Sequence, residues 1–396
     1  MKLAQNLLLA LLGLVVALAL LELAARLLPP PFDSSQTNPA ETCWPVTGWR
    51  GKPNFETTIA TGNVVHNLKL NSRGMHDTEH PTAKPPNTYR ILLLGDSFVH
   101  AIQVPEADTA HQVLEQRLNQ HDDLPAVQVI SGGVSGWGTG QQLGYYQAEG
   151  RSYQPDLVLL MLYLGNDVKD NLPGRGITVE GKNCYTPYFT LAGNRLDPTP
   201  WRYAPGLPPA LGQGSWLHKQ AANLLGWLHQ HSALYTQLEP LLAPEPIQAS
   251  MLDFYIGNNP TFDYALELTY QLVDELRRQV ALDGAQFGVV LISPKSLVEF
   301  SLMDAAAREE VYARLPAMRA AELMPPPNQT LAARLSADGS PSLDLLPAFV
   351  AHLAAGGEPL FFEQDQHWTS AGNRLAADTM YQWLIENRVI THSQSE

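Results

Sequence analysis

Three side chains in this sequence have the chemistry of a nucleophile, a general base and the acid that orients that base. Ser97 lies in "ILLLGDSFVH" (91–100), directly after an apolar run. Asp365 precedes His367 by two residues in "FFEQDQHWTSAGNRLAA" (361–377). A hydroxyl nucleophile needs a neutral imidazole to take its proton and a carboxylate to hold the correct tautomer. Because Gly-Asp-Ser is also good turn chemistry, Ser97 considered alone is either a turn residue or a nucleophile.

Two further stretches contain groups that stabilise an oxyanion. The glycines of "SGGVSGWGTG" (131–140) allow the close backbone approach that an amide donor needs. Asn166 in "LGND" (164–167) offers a side-chain N–H to the same oxygen. Each stretch alone also fits a plain turn. Together, however, the stretches supply a serine, a glycine, an asparagine, an aspartate and a histidine, each at a predicted strand end or helix start. This set favours nucleophilic acyl chemistry.

The elements that must position these residues are visible as apolar runs and helical repeats. The runs are continuous rather than alternating, which is typical of parallel strands covered on both faces. Helical periodicity separates them, and this alternation predicts a doubly wound α/β sheet. Ligands bind such sheets at the carboxyl ends of the strands, which is where Ser97 falls. The predicted strands are 90–94, 127–131, 157–163 and 287–293, and the predicted helices are 108–120, 263–283 and 371–387.

The N-terminus carries a long apolar segment. Residues 7–21, "LLLALLGLVVALALL", hold no charge, and the apolar character continues to Leu28. Such a helix measures roughly 33 Å, enough to span a bilayer, so we expect an N-terminal transmembrane anchor. A cleaved signal peptide is the alternative, because Ala17-Leu18-Ala19 has small residues at the right spacing. Lys2 before the segment places the remainder of the chain outside the cytoplasm, in the periplasm or at the cell surface.

The rest of the chain divides by composition. A Pro-, Thr- and Asn-rich stretch precedes the first strand and is typical of a stalk with an N-terminal flap. A second Pro-rich stretch interrupts the strand and helix alternation, and it is either a lid over the site or a structural elaboration of the sheet. The predicted boundaries are 1–32 (anchor), 33–89 (stalk and flap), 90–170 (first catalytic part), 171–256 (insertion) and 257–390 (second catalytic part).

Composition limits the partners. The 396 residues carry a formal net charge of −14, which argues against a nucleic-acid partner because no basic stripe exists to neutralise phosphates. Cys43 and Cys184 form either one disulfide or two unpaired thiols. His229 and His231 lie in a helical run without a third ligand nearby, so we predict no metal site and no cofactor.

The four blocks together resemble those of the SGNH hydrolase superfamily, also called GDSL-like esterases. The resemblance covers residues 67–170 and 285–387 and implies a flavodoxin-like three-layer α/β/α fold. It makes Ser97 the nucleophile, with His367 and Asp365 completing the triad. It also implies an oxyanion hole formed by Ser97, Gly136 and Asn166.

The sequence departs from the family pattern at two places. Only Gln366 separates the acid from the histidine, and Glu363 is the substitute if Asp365 does not reach His367. Ser131 stands where the second block usually has asparagine, which weakens a supporting hydrogen bond. Trp368 next to the histidine either walls the pocket or fills the core.

The anchor followed by "LNSRGMHDTEHP" (70–81) and "PPNTYRILLLGDSF" (85–98) is similar to a membrane-anchored bacterial subgroup, and the "D-x-H-W" form resembles that of some carbohydrate O-acetyltransferases and anchored esterases. The resemblance implies an extracytoplasmic serine esterase or O-acyltransferase acting on O-acetylated carbohydrate or a small ester. A transferase would need an acyl-donor partner in the membrane. The alternatives are a lipid esterase at the membrane surface and a catalytically silent carbohydrate-binding or assembly protein of the same fold.

Overall fold

A five-stranded parallel sheet forms the centre of the molecule, as seen in a computed structural model of the chain. The structure describes residues 2–26, 39–172, 176–179, 182–193, 195–197, 232, 234, 260–314, 319, 327–363 and 365–390. The strands of this sheet are β5 (Thr88–Gly95), β6 (Ala126–Gly133), β7 (Leu157–Tyr163), β12 (Gln286–Ile292) and β13 (Ser342–Asp344). They lie side by side in the order β13-β12-β7-β5-β6.

The remaining strands form four small antiparallel pairs. They are β1 (Glu41–Trp44), β2 (Gly48–Gly51), β3 (Glu56–Thr61), β4 (Val64–Lys69), β8 (Gly176–Val179), β9 (Lys182–Tyr185), β10 (Leu191–Ala192) and β11 (Arg195–Leu196). The helices are α1 (Lys2–Ala25), α2 (Ser97–His100), α3 (Ala110–Asn119), α4 (Thr139–Ala148), α5 (Asp167–Asp170), α6 (Pro260–Leu282), α7 (Lys295–Leu302), α8 (Ala305–Arg314), α9 (Pro327–Ala337), α10 (Leu346–Ala354) and α11 (Ser370–Glu386).

Helices cover both faces of the central sheet, which gives three layers. Alternate residues of β5 enter opposite cores, so Leu92 packs with α4 and α6 while Leu93 packs with α3 and α11. All seven residues of β7 are buried, as expected of a strand with helices on both sides. The predicted α/β class with a parallel sheet is therefore confirmed.

The predicted elements of the sheet agree with the structure to within a few residues. The run 157–163 is the strand Leu157–Tyr163, and the helix predicted over 371–387 is Ser370–Glu386. The edge strand Ser342–Asp344 was not predicted, because it has only three residues and none of them is fully buried. A strand this short and half-exposed leaves no apolar run in the sequence.

The N-terminal segment forms the helix Lys2–Ala25. Arg26 and Glu22 make an ion pair at 2.9 Å at its end. Large apolar side chains along it are solvent-exposed, from 48% at Leu18 to 62% at Leu20. Within the described ranges, however, we find no helix with the length and apolar character needed to cross a membrane, so the structure does not support the predicted transmembrane span.

The segment between the N-terminal helix and the sheet is folded against the α/β core. The hairpin Glu56–Lys69 places Val64 in a small apolar cluster with Ala101 and Phe362, close to the loop that carries His367. A disulfide joins Cys43 to Cys184 with 5.3 Å between the Cα atoms. It links this segment to the hairpin formed by β8 and β9.

Most of the stretch predicted as an insertion lies outside the described residues. The lid interpretation falls there, as do His229 and His231. Its first part is described as two small hairpins, 176–185 and 191–196, and the second of these contacts α6.

Candidate active site

Ser97 lies at the carboxyl end of β5, which is between β6 and β7, where the chain turns sharply into α2. The carboxylate of Asp96 caps this helix by accepting the backbone N–H of Phe98 at 2.9 Å. A Cβ on Gly95 would collide with the side chain of Val99, so the turn requires glycine at that position. The turn leaves Ser97 9% exposed, at the edge of the sheet where parallel folds bind ligands.

His367 reaches Ser97 from the opposite end of the chain. Its Nε2 lies 2.7 Å from Ser97 Oγ, and its Nδ1 hydrogen-bonds Asp365 Oδ1. The same carboxylate oxygen accepts the backbone N–H of His367 at 3.0 Å. Because a carboxylate accepts, Nδ1 carries the proton and Nε2 offers its lone pair to the serine hydroxyl. This arrangement suits a general base that deprotonates Ser97.

Asp365 reaches the histidine despite having only one residue between them, so Glu363 is not needed as its substitute. Burial alone would raise the pKa of Asp365, but its hydrogen bonds with His367 and Gln103 and the charge of His367 outweigh burial and lower that pKa. The carboxylate therefore remains ionised at neutral pH. The side chains of His367 and Asp365 are 27% and 34% exposed, so the pair is open to solvent.

The loop that carries Asp365 and His367 is held from two sides. Lys295, at the start of α7, donates from Nζ to the backbone carbonyls of Phe362 and Glu363 at 3.1 Å each. Gln103, in the loop after α2, hydrogen-bonds Asp365. Neither residue was predicted. The place of Lys295 just beyond the carboxyl end of a strand was an available signal, whereas nothing in the sequence pattern marks Gln103.

Trp368 is buried in the core next to His367, and it also lines a small apolar cavity with Phe349 and Val298. It is 2% exposed. Its ring packs 4.8 Å from Phe98 and 5.4 Å from Phe349, measured between ring centroids. Phe98 also lies 5.3 Å from the ring of His367. This aromatic cluster supports the imidazole from behind.

Gly136 and Asn166 follow the two strands that flank β5. Gly136 comes after β6 and has φ +74°, a conformation that favours glycine. Asn166 comes after β7 and precedes α5. Its Nδ2 donates to the buried carboxylate of Asp170 at 2.8 Å, and this bond fixes the orientation of the amide. The sheet order thus places the two predicted oxyanion donors on either side of Ser97.

Two further carboxylates are buried near Ser97, at Asp96 and Asp167. Burial, with a smaller contribution from the charge of Asp170, raises the pKa of Asp96 to about 6 against the opposing hydrogen bond from Phe98. Burial and the charge of Asp96 raise the pKa of Asp167 well above its usual value. Asp167 accepts the backbone N–H of Tyr163 at 2.9 Å.

Ser131 stands where the second block usually has asparagine, and a hydrogen bond of its backbone holds this part of β6 in place. The backbone N–H of Ser131 donates to Asp77 Oδ2 at 2.8 Å. Burial would raise the pKa of Asp77, but contacts with His111 and His80 outweigh burial and lower it. An ionised Asp77 thus fixes this part of β6 through the backbone, and the side chain of Ser131 is not needed for that bond.

Comparison with known families gives one sequence match. The family described as SGNH hydrolase-like domain, acetyltransferase AlgX, matches residues 259–394. This stretch contains Asp365 and His367, whereas Ser97, Gly136 and Asn166 precede it. No curated protein matches the sequence.

Solved structures with a similar fold include several esterases. One is a catalytic mutant of the acetylxylan esterase Axe2 from Geobacillus stearothermophilus, with 11% identity, a TM-score of 0.38, and coverage of 75% of this chain and 94% of that one. Another is the psychrotrophic esterase EstA from Pseudoalteromonas sp., with 12% identity, a TM-score of 0.35, and coverage of 77% and 100%. A third is the lipase/acylhydrolase from Enterococcus faecalis, with 13% identity, a TM-score of 0.36, and coverage of 76% and 96%. At these scores the likeness adds nothing to the assignment of an activity.

The segment that matches the family contributes two side chains to the candidate site. The matched segment contains the histidine and the acid, and the sheet brings both to Ser97 in the block "GDSF". The match supports hydrolysis or acyl transfer as the class of activity. Residues 259–394 are thus similar to an SGNH hydrolase-like domain, and Ser97 lies outside this matched segment.

Proposed function

We propose that the protein is a serine esterase or O-acyltransferase that works through an acyl-enzyme on Ser97. The observation that carries the proposal is the 2.7 Å contact between His367 Nε2 and Ser97 Oγ, with Nδ1 of the same ring bonded to Asp365. A neutral imidazole held in this tautomer accepts the hydroxyl proton as the oxygen attacks an ester carbonyl.

The reaction proceeds in two balanced halves. Ser97 Oγ bonds to the carbonyl carbon while His367 takes its proton, and the oxyanion lies against the backbone N–H groups of Ser97 and Gly136 and the side-chain N–H of Asn166. His367 then returns the proton to the departing alkoxide as the ester C–O bond breaks. In the second half, His367 deprotonates water or a sugar hydroxyl, which bonds to the acyl carbon; the bond from that carbon to Ser97 Oγ then breaks, and His367 returns the proton to Oγ.

The proposed acyl group is acetyl, carried on carbohydrate or on another small ester. The description of the matching family as an acetyltransferase supports acetyl. Water as the final acceptor makes the protein an esterase. A sugar hydroxyl makes it a transferase, which would take its acyl group from a donor partner in the membrane.

We place the catalytic domain outside the cytoplasm. The disulfide between Cys43 and Cys184 supports an oxidising compartment, since cytoplasmic thiols are kept reduced. The exposed leucines of α1 support attachment of the N-terminus to a membrane. Fractionation of cells that express the full chain, compared with a variant lacking residues 1–32, tests both parts of this placement.

A lipid esterase is the second candidate, and it also rests on the exposed apolar side chains of α1. Attachment through this helix would keep Ser97 close to a lipid surface. The two candidates differ in the acyl chain that they prefer. Turnover that rises steeply from acetyl to octanoyl esters favours the lipid esterase, and turnover highest with acetyl favours the carbohydrate esterase.

The experiment measures ester turnover by the full chain with acetyl, butyryl and octanoyl para-nitrophenyl esters, with and without a sugar acceptor. Ser97→Ala should abolish turnover, while Ser152→Ala, at an exposed serine, serves as the matched control. Acylated sugar in the products identifies a transferase. If neither turnover nor fluorophosphonate labelling depends on Ser97, the protein is a silent binding protein and the proposal is wrong.

A further inference from the structure

His100 lies at the end of the short helix that begins with Ser97, and it is completely buried. Its Nδ1 accepts the backbone N–H of Ser135 at 3.2 Å and lies 3.0 Å from the Ser135 hydroxyl oxygen. Ser135 immediately precedes Gly136, the glycine whose N–H faces the substrate oxygen in the proposed mechanism. One imidazole therefore connects the helix of the nucleophile to the loop of the oxyanion donor.

The direction of the Gly136 N–H depends on how Ser135 is held. In a planar trans peptide, the carbonyl of Ser135 and the N–H of Gly136 point in opposite directions. Trp49 Nε1 donates to that carbonyl at 3.0 Å, and His100 binds the N–H on the other side of Ser135. Both peptide groups of Ser135 are thus fixed, although Gly136 itself has the conformational freedom of glycine.

His100 is suited to accept this bond because it stays neutral. Burial, together with the charges of His76 and His367, lowers its pKa to about 3. A neutral ring that accepts at Nδ1 carries its proton on Nε2. His76 Nδ1 lies 3.0 Å from the carbonyl oxygen of His100 and donates to it, which fixes the backbone at the same point.

We propose that His100 is a positioning residue that sets the Gly136 N–H relative to Ser97 Oγ. This inference rests on the proposed function, because it assigns His100 a role in the same oxyanion hole. His100 touches neither the substrate nor the reacting atoms. Its effect should therefore appear in the turnover of bound ester rather than in ester binding.

Three substitutions separate positioning from packing. Asparagine places its Oδ1 where the imidazole has Nδ1, so His100→Asn keeps the acceptor for Ser135. Glutamine moves the acceptor one bond further, so His100→Gln keeps polarity and volume but loses that bond. His100→Ala removes both the acceptor and the volume. His121→Ala, at a partly exposed histidine far from the site in the chain, is the matched control.

The experiment measures kcat and KM for para-nitrophenyl acetate, with kcat expressed per active site titrated by a fluorophosphonate. We expect His100→Ala and His100→Gln to lower kcat about 10-fold or more with little change in KM, since misplacing one oxyanion donor loses part of its roughly 100-fold effect. His100→Asn should stay within about threefold of wild type, because it keeps the acceptor. If His100→Ala does not fold, the comparison of asparagine with glutamine carries the test.

The outcomes separate this inference from the function on which it rests. Wild-type turnover that is lost in Ser97→Ala but equal in the asparagine and glutamine variants overturns the role of His100 and leaves the esterase proposal intact. The same holds if all three variants lose kcat and melting temperature in parallel. Absence of any Ser97-dependent turnover or labelling overturns the proposed function and the role of His100 with it.

Discussion

At the residue scale, the site is defined by where each polar group finds its partner. Ser97, His367 and Asp365 form one hydrogen-bonded series that is open to solvent. The amide of Asn166 is oriented by a buried carboxylate, and Asp96 caps the helix that begins with Ser97. Each of these contacts leads to a prediction for a single substitution.

Asn166→Ala should reduce kcat for para-nitrophenyl acetate by a factor of about 100 or more, because one oxyanion donor is typically worth ~3 to 4 kcal/mol of barrier. The free energy of unfolding should fall by about 1 to 3 kcal/mol, because the buried carboxylate of Asp170 loses the hydrogen bond from Asn166. Steady-state kinetics and urea unfolding measure the two quantities, with Asn387→Ala as an exposed control. An unchanged kcat would remove Asn166 from the oxyanion hole.

Asp96 should make the folded protein less stable as pH rises. Burial raises its pKa to about 6, from an ordinary value of 3.8, so the folded state binds the proton more tightly than the unfolded state. The stabilisation that the folded state gains from the proton on Asp96 is complete below about pH 4 and is lost as pH rises through about 6. Asp96→Asn keeps an acceptor for Phe98 and does not ionise. Its free energy of unfolding should therefore exceed that of wild type by an amount that grows to about 1 to 3 kcal/mol as pH rises from about 4 to about 6.

Urea unfolding of wild type and Asp96→Asn across this pH range measures the effect. Asp338→Asn, at an exposed carboxylate, is the control. A difference in unfolding free energy between wild type and Asp96→Asn that is the same at every pH would contradict the assignment.

At the element scale, the parallel sheet does most of the positioning. The strand order places β5 between β6 and β7, so three successive blocks of the sequence meet at one edge. The loop with Asp365 and His367 comes after β13, which forms the opposite edge of the sheet, so other contacts must hold this loop near Ser97. Lys295 contributes by binding two backbone carbonyls of the loop, at Phe362 and Glu363, and Gln103 contributes by bonding Asp365.

Lys295→Met should lower kcat roughly tenfold, because losing a charged donor to the loop costs ~1 to 2 kcal/mol and lets His367 move away from Ser97. Methionine keeps the length and the apolar stem of the side chain. Lys69→Met, at an exposed lysine on the N-terminal hairpin, is the matched control. Equal kcat values for the two variants would show that the loop holds its place without Lys295.

The sequence predicted where the candidate residues next to regular elements lie in the fold. Ser97, Gly136 and Asn166 follow apolar runs that end abruptly, so strand periodicity alone places them at one edge of the sheet. Gln103 and Asp77 were not predicted, because they contact the site through loops whose path no periodicity records. His100 lay inside the first block considered, but its bond to Ser135 depends on how the next strand ends.

At the scale of the whole molecule, the N-terminal segment is tied to the core both covalently and by packing. The disulfide joins residues that are 141 positions apart in the chain. The choice between a disulfide and two thiols could not be made from the sequence, because it depends on the approach of two segments that share no regular element. The hairpin Glu56–Lys69 adds contacts close to the His367 loop.

Replacing both Cys43 and Cys184 with alanine should lower the free energy of unfolding by about 2 to 5 kcal/mol, as expected when a long closed loop is released. Thermal melting of wild type in oxidising and reducing buffer, compared with the double variant, measures this loss. Reduced wild type should melt together with the variant, whose own melting should not respond to reductant. Identical melting of wild type in both buffers would contradict a stabilising disulfide.

The central claim is that Ser97 becomes acylated during turnover. The direct measurement is to mix the full chain with para-nitrophenyl acetate, quench with acid within the first turnovers, and locate the bound acetyl group by peptide mass spectrometry. We predict one acetyl group on the peptide that contains Ser97, and none on the corresponding peptide of Ser97→Ala. If the full chain releases nitrophenol while the acetyl group is on another residue, or while the Ser97 peptide is unmodified, the account is contradicted.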